Sequence, residues 1–379
     1  MFLNPYPMKQ ILITIKDLWG DDMKRILTLI MTISFLLLSG CSSNIKIIEN
    51  NEFKPEKIKL VLPDNQSLEN HRWSEKILYS SCEEKELFSS EELKISQDLS
   101  VEMVAMLDTD VYFTAFDYIK GEIGLYLLEN NRSTKLYEAP DTIDIVDMLS
   151  KDGKIFFVEE YENYEVLKCY SPAEKSIKII IEVSWGKYYQ IYDCGDYVAF
   201  ATTEDSITNL TFINLINGAV TSKSFEYIDI CPTHFVDNNY FVYRDMSTGS
   251  IVFFDIDNDK VVATVSTDTS PNNSFDKAKV IKDNVILSDG FGIYIHSLLN
   301  NKTYIVHSRE KTDLDGNYPF YLVGNTVLFF NDDLVLCAAD CDKNKSVEIS
   351  AEIQIKCTNG VDAFITEDDS GKIFKYIVK

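Results

Sequence analysis

Asp152 to Phe200 reads DGKIFFVEEYENYEVLKCYSPAEKSIKIIIEVSWGKYYQIYDCGDYVAF. It opens on an Asp-Gly pair, a strong signal for a tight hairpin, because both residues tolerate the positive φ such turns need. KIFF follows as an aromatic-rich strand, EVLKCY as a third strand and SIKIII as a fourth. The stretch then returns to a turn pair, Gly195-Asp196, and to a second aromatic strand, YVAF. One unit is therefore a short strand, a turn, an apolar strand and two further strands.

The same unit recurs on both sides. Its second strands are VYF at Val111 to Phe113, KIFF at Lys154, YVAF at Tyr197, YFVY at Tyr240, NVIL at Asn284, TVLFF at Thr326 and DAFI at Asp362. The first six begin 42 to 44 residues apart. Four strands per unit at such a period predict an all-β chain folded as a β-propeller, with a tandem of β-sandwiches as the alternative. A shorter, degenerate copy, KILYSS with ELFSS and ELKIS, begins at Lys76, so seven or eight four-stranded blades are expected. The final copy ends after its third strand, and IKLVL at Ile58 to Leu62 is the expected supplier of the fourth. Such closure removes exposed sheet edges. The propeller domain is expected to span 56–379.

The repeats resemble, in pattern and not in motif, the loosely conserved propeller domains of exported bacterial lipoproteins. Neither a WD40 Gly-His and Trp-Asp pattern nor a kelch double glycine is present, so this resemblance implies architecture and no activity.

The N-terminal region carries the one specific motif. From Met23 the chain reads MKRILTLIMTISFLLLSGC: two cations, Lys24 and Arg25, an apolar run from Ile26 to Leu38, then small residues. The run is shorter than the roughly 20 residues a membrane span needs and follows the grammar of a signal peptide. Leu38, Ser39, Gly40 and Cys41 resemble the lipobox of bacterial lipoproteins at all four positions. That resemblance implies cleavage before Cys41 and diacylglyceryl transfer to its sulfur. Its two acyl chains would give an anchor with an upper bound on the order of 20 kcal/mol. Residues 23–40 are thus the expected signal peptide, and 41–55 a lipidated cysteine with a polar tether. Residues 1–22, with Asp21 and Asp22 where a signal peptide is normally cationic, are expected to be an upstream extension from a mis-assigned start.

A formal charge of -24 over 379 residues disfavours nucleic-acid phosphates and anionic lipid headgroups as partners. The eight cysteines, Cys41, Cys82, Cys169, Cys194, Cys231, Cys337, Cys341 and Cys357, are too dispersed for a disulfide scaffold, although Cys337 and Cys341 are close enough in sequence to bridge.

Candidate chemistry is sparse. Asp255, Asp257 and Asp259 imitate the start of a calcium loop, but Lys260 replaces its glycine and Ser266 its closing glutamate, so a hairpin turn is expected. Asp313, Asp315 and Gly316 form a weaker acidic turn. Among His71, His234, His296 and His307 there is no zinc spacing, and no cofactor-binding motif is present. His234, in CPTHF, is placed on an innermost strand, and His296 and His307 on outer ones. Asp144, Asp147 and Asp193 fall on expected innermost strands, where two carboxylates at a suitable separation would serve a glycoside hydrolase. Trp185, Tyr188 and Tyr189 are expected at the rim, and Trp73 lies in a poorly patterned segment.

Two functions compete. The first is a lipid-anchored module on the extracytoplasmic face of the cell membrane, held by the bilayer and binding or scaffolding an envelope protein, peptide or glycan. The second is an extracytoplasmic polysaccharide hydrolase or lyase that uses channel carboxylates.

Overall fold

The computed structural model describes residues 59, 60, 62, 66–68 and 74–379, apart from 140–143, 185–188, 205, 235, 237, 267–276, 290, 309–319, 352, 360 and 361. These residues belong to one compact unit, Pro55–Lys379. Leu38, Ser39, Gly40 and Cys41 lie outside them, as do the expected signal peptide and tether.

The described strands form seven sheets. Each contains one repeat of the sequence, so the chain is a seven-bladed β-propeller, and the expectation of a possible eighth blade is corrected. Blades 1 to 6 take their four strands from residues 99–138, 144–184, 189–226, 228–266, 277–308 and 320–351. Blade 7 takes three strands from 353–378. Within blade 2 the chain runs outward from Asp144–Lys151 through Lys154–Glu160 and Tyr164–Ser171 to Ser176–Ser184. Asp152 at φ 48 and Gly153 at φ 73 make its first turn, both left-handed as the Asp-Gly pair predicts.

The second strands are continuously apolar because a neighbouring blade covers each of their faces. Phe113, Phe157, Phe200, Phe241 and Phe364 are all at most 1% exposed. Seven buried clusters fill the seven blade-to-blade contacts. Ile155 and Phe157 of blade 2 pack with Tyr112 and Leu125 of blade 1, and Phe156 and Val158 pack with Val198 and Phe200 of blade 3. Phe113 and Val111 of blade 1 meet Ile365 and Ile373 of blade 7, which closes the ring.

The fourth strand of blade 7 is Phe88–Leu93, which pairs antiparallel with Ile373–Val378. This corrects the expectation that Ile58 to Leu62 closes the ring. The supposed degenerate copy is no blade: ELFSS runs into that closing strand, and KILYSS, with the segment before it, forms a belt over the outer edges of three blades. Gln66–Ser67 adds in parallel to Val265–Ser266 of blade 4. Glu75–Lys76 adds to Tyr304–Ile305 of blade 5, and Ser80–Ser81 to Lys345–Ser346 of blade 6. A single helical turn, Glu84–Leu87, then leads into the closing strand. Leu60 and Leu68 are buried in the cluster between blades 4 and 5, which holds the belt in place. Parallel edge strands of two polar residues, mostly in solvent, carry no alternation by which sequence could place them.

Candidate ligand site at the channel mouth

Successive strands within a blade are antiparallel, so the turns between second and third strands share one face, here the upper, with the connections between blades. Around that face the exposed large apolar side chains are Tyr118, Ile119, Ile207, Tyr227, Met246, Phe291 and Leu334. The lower face carries the remaining turns, with Ile216 and Leu299 exposed at their tips.

Innermost strands line the channel. On blade 3, Gln190 and Tyr192 alternate with Ile191, whose side chain faces the core between blades 2 and 3. A cavity of about 110 Å³ opens here between blades 3 and 4, lined by Gln190, Tyr192, Ala201, Thr203, Thr208, Ile228, Asp229 and Ile230. Its one charged wall residue, Asp229, accepts a hydrogen bond from the Arg244 guanidinium at 3.3 Å. Burial raises the Asp229 pKa against the lowering effect of Arg244 and Lys277. Deeper in the wall, Asp147 accepts the backbone N–H of Ile191 at 2.7 Å, tying blade 2 to blade 3, and that of Met148 at 2.8 Å. Burial outweighs these two amides and pushes Asp147 up to about 6. Tyr192 stands in the field of both Asp147 and Asp229, and its phenol is raised, first by burial and then by those charges.

The three acids singled out in the sequence are thereby separated by their partners. Asp144 is exposed and accepts from the Ile145 amide. Asp147 is held by amides, and Asp193 pairs with the Lys151 ammonium, which also donates to the Gly195 carbonyl. Thr233–His234 pairs in parallel with Val280–Ile281 at the inner edge of the blade 5 sheet, so CPTHF does reach the channel side, but the innermost strand of blade 4 is Ile228–Ile230. His296 is on a third strand and fully buried, hydrogen-bonded to Gln66 and Thr303. His307 lies on a fourth strand with its ring 4.8 Å from that of Phe329.

Asp255, Asp257 and Asp259 form the hairpin turn between third and fourth strands of blade 4. Asp255 accepts the Asn258 amide at 2.9 Å, and Asp257 accepts from the Tyr197 hydroxyl at 2.7 Å and from Asn239 at 2.8 Å. Asp259 is at φ 55 and pairs with Lys223. Among the described residues, no group of three or more His, Cys, Asp or Glu side chains is placed to hold a metal ion. Cys337 and Cys341 do not bridge; all seven described cysteines are free thiols, which corrects the possible pairing. Asp313, Asp315, Gly316, His71, Trp73, Trp185 and Tyr188 lie outside the described residues, and Tyr189 is described only as the first residue of the blade 3 inner strand.

Sequence reading missed Gln190, Tyr192, Asp229, Arg244, Lys277 and Lys279. The signal was present: YQIYDC, YIDI and KAKV are first strands that alternate polar with apolar, whereas the second strands are solidly apolar. Reading the first strand of every unit as channel wall would have found all but Arg244, which lies near the end of a second strand, Tyr240–Asp245.

No family model matches the chain, and no curated protein matches it in sequence. Solved structures match in fold. A chain from work on two prolyl endopeptidases aligns at TM-score 0.53 and 12% identity, over 74% of this chain and 50% of that one. The Pan2 WD40 domain of Neurospora crassa aligns at TM-score 0.48 and 9% identity, over 79% of this chain and 97% of that domain. At such identities the likeness is one of propeller fold and carries no activity across.

Proposed function

We propose that this protein is a lipid-anchored extracytoplasmic binding module. Acylated Cys41 holds it to the membrane, and the upper face of the propeller takes an envelope protein, peptide or glycan. The observation that carries the binding half is the ring of apolar tips, among them Tyr118 at 66%, Met246 at 43% and Phe291 at 42% exposure, around a polar channel mouth. Aromatic and methionine side chains grouped on one face are the composition that recognition surfaces favour. The lipobox supports the anchor.

Two readouts test the two halves. In a bacterial host, the wild-type chain fractionates with membranes and begins at an acylated Cys41, and Cys41→Ala loses both properties. An unmodified cytosolic wild-type chain overturns the anchor. Capture from detergent extracts of envelopes by wild type, set against Tyr118→Asp with Phe291→Asp, tests the surface. A component enriched only by wild type is expected, and equal enrichment by both overturns this face as the docking site.

A further inference from the structure

Lys277 and Lys279 lie two residues apart on Lys277–Ile281, the first strand of the blade 5 repeat, ahead of the stretch Val280–Ile281 that Thr233–His234 covers on its inner side. Between them, Ala278 points to the opposite side, into the core shared with blade 4, as does Val280. The two lysines therefore share the side facing blade 6. The ammonium of Lys279 donates to the Phe320 carbonyl at 2.9 Å and lies 5.3 Å from the Phe320 ring centre and 4.9 Å from that of Tyr321.

Of the other buried lysines, Lys168 has Glu159 and Lys151 has Asp193, whereas Lys375 has the Thr109 carbonyl. Among the described residues, no carboxylate lies within ion-pair distance of Lys279. An ammonium has three donors, and the carbonyl takes one. Ring faces help to stabilise the charge but accept little hydrogen bonding. Burial and the neighbouring Lys277 cation lower the Lys279 amine to about 8. In a chain of net charge -24, Lys279 is a channel-wall cation with donors to spare, beside Lys277, whose field already reaches Asp229.

We propose that Lys277 and Lys279 form an anion site in the channel wall between blades 5 and 6, which takes the carboxylate or phosphate group of a small ligand. The ligand oxygen accepts from the two free N–H groups of Lys279 while its charge is balanced by Lys277; such charge-assisted hydrogen bonds are about twice as strong as neutral ones. The Phe320 carbonyl keeps the third N–H and aims the ammonium. The site goes beyond the upper-face docking surface, which is apolar and uses other residues.

The rival role for Lys279 is that of a closed stitch between blades, as Lys375 stitches blade 7 to blade 1 through the Thr109 carbonyl at 2.7 Å. Acetic anhydride labelling separates the two, applied to the full chain in detergent near pH 8 and read peptide by peptide by mass spectrometry. An amine open to the channel with a lowered pKa labels ahead of surface lysines. Inorganic phosphate or succinate at about 10 mM is expected to slow Lys279 labelling by roughly tenfold or more, with chloride at equal ionic strength inactive. Whichever anion protects identifies the group recognised. Lys279→Met should abolish the protection that the same anion gives Lys277. Labelling of Lys279 unchanged by both anions, or withheld until the protein unfolds, overturns the site. Neither result touches the Cys41 fractionation or the upper-face capture.

Discussion

Gln66 Oε1 accepts a hydrogen bond from His296 Nε2 at 2.9 Å, joining the belt to blade 5 across 230 residues of sequence. The Gln66 amide nitrogen donates to the Leu298 carbonyl at 2.7 Å, and the other imidazole nitrogen faces the Thr303 hydroxyl at 3.0 Å. Both ring nitrogens are satisfied with the ring neutral, and burial lowers the His296 pKa from 6.5 to about 4. The unfolded chain therefore binds the extra proton first. This group's contribution to stability is fully present above pH 6.5 and is lost as pH falls toward 4, by at most about 3 kcal/mol. Urea unfolding midpoints of wild type and His296→Gln, followed over that window, should diverge less in slope outside it than within. A parallel pair of curves would show that His296 does not titrate on unfolding.

Phe88 tests how the ring is shut. It is 1% exposed, with its ring edge-on to Phe364 at 5.3 Å and to Tyr376 at 6.2 Å. Phe88→Ala should cost roughly 3–5 kcal/mol, the range for a buried aromatic replaced by alanine. Leu62→Ala, on the segment first expected to close the ring, should cost distinctly less, because Leu62 is only half-buried. Denaturant titration of both variants ranks the two closures.

The period of the repeat was legible because each second strand is buried on both faces and most first turns need φ > 0, as at Asp152 and Gly153. Both demands write themselves into residue type. Closure was not legible. Phe88–Leu93 reads FSSEEL, with only its two ends buried, so it shows neither strand alternation nor an apolar run. It is an edge strand whose position depends on backbone pairing with Ile373–Val378, and pairing leaves little trace in sequence. The channel was half legible. Asp147 and Asp193 were placed on inner strands, but their partners, the Ile191 amide and the Lys151 ammonium, depend on which blade stands beside which.

Thiol reactivity should be graded by burial. Burial pushes Cys169, Cys337 and Cys341 up to about 11 and Cys357 to about 12, so their thiolates are scarce at neutral pH. Cys82, on the half-exposed belt, is raised too, by burial and Glu86, but stays the most open. With an aromatic disulfide reagent at pH 7.5, Cys82 should react first and the other six only on unfolding. Rapid labelling of Cys341 in the native state would show that the belt lifts from blade 6 at Tyr79, whose hydroxyl lies 3.6 Å from that sulfur.

The Lys168–Glu159 pair lets electrostatics be weighed against packing inside the ring. The ammonium lies 2.6 Å from the carboxylate, with the lysine side chain 9% and the glutamate 0% exposed. Tyr137 accepts from the ammonium at 2.7 Å, and Tyr161 donates to the carboxylate at 2.8 Å. Desolvating both ions costs several kcal/mol each, which their attraction returns only while both are present. Lys168→Met strands a carboxylate with no counter-charge and should destabilise by about 3–5 kcal/mol. Glu159→Leu strands the ammonium and should cost a similar amount. The double variant removes both charges together with both desolvation costs, and should fall within about 1–2 kcal/mol of wild type. A double-mutant cycle by urea unfolding measures the difference. Additive losses would mean that water reaches the pair and that the contact between blades 1 and 2 is held by Ile155, Phe157 and Tyr112 without it.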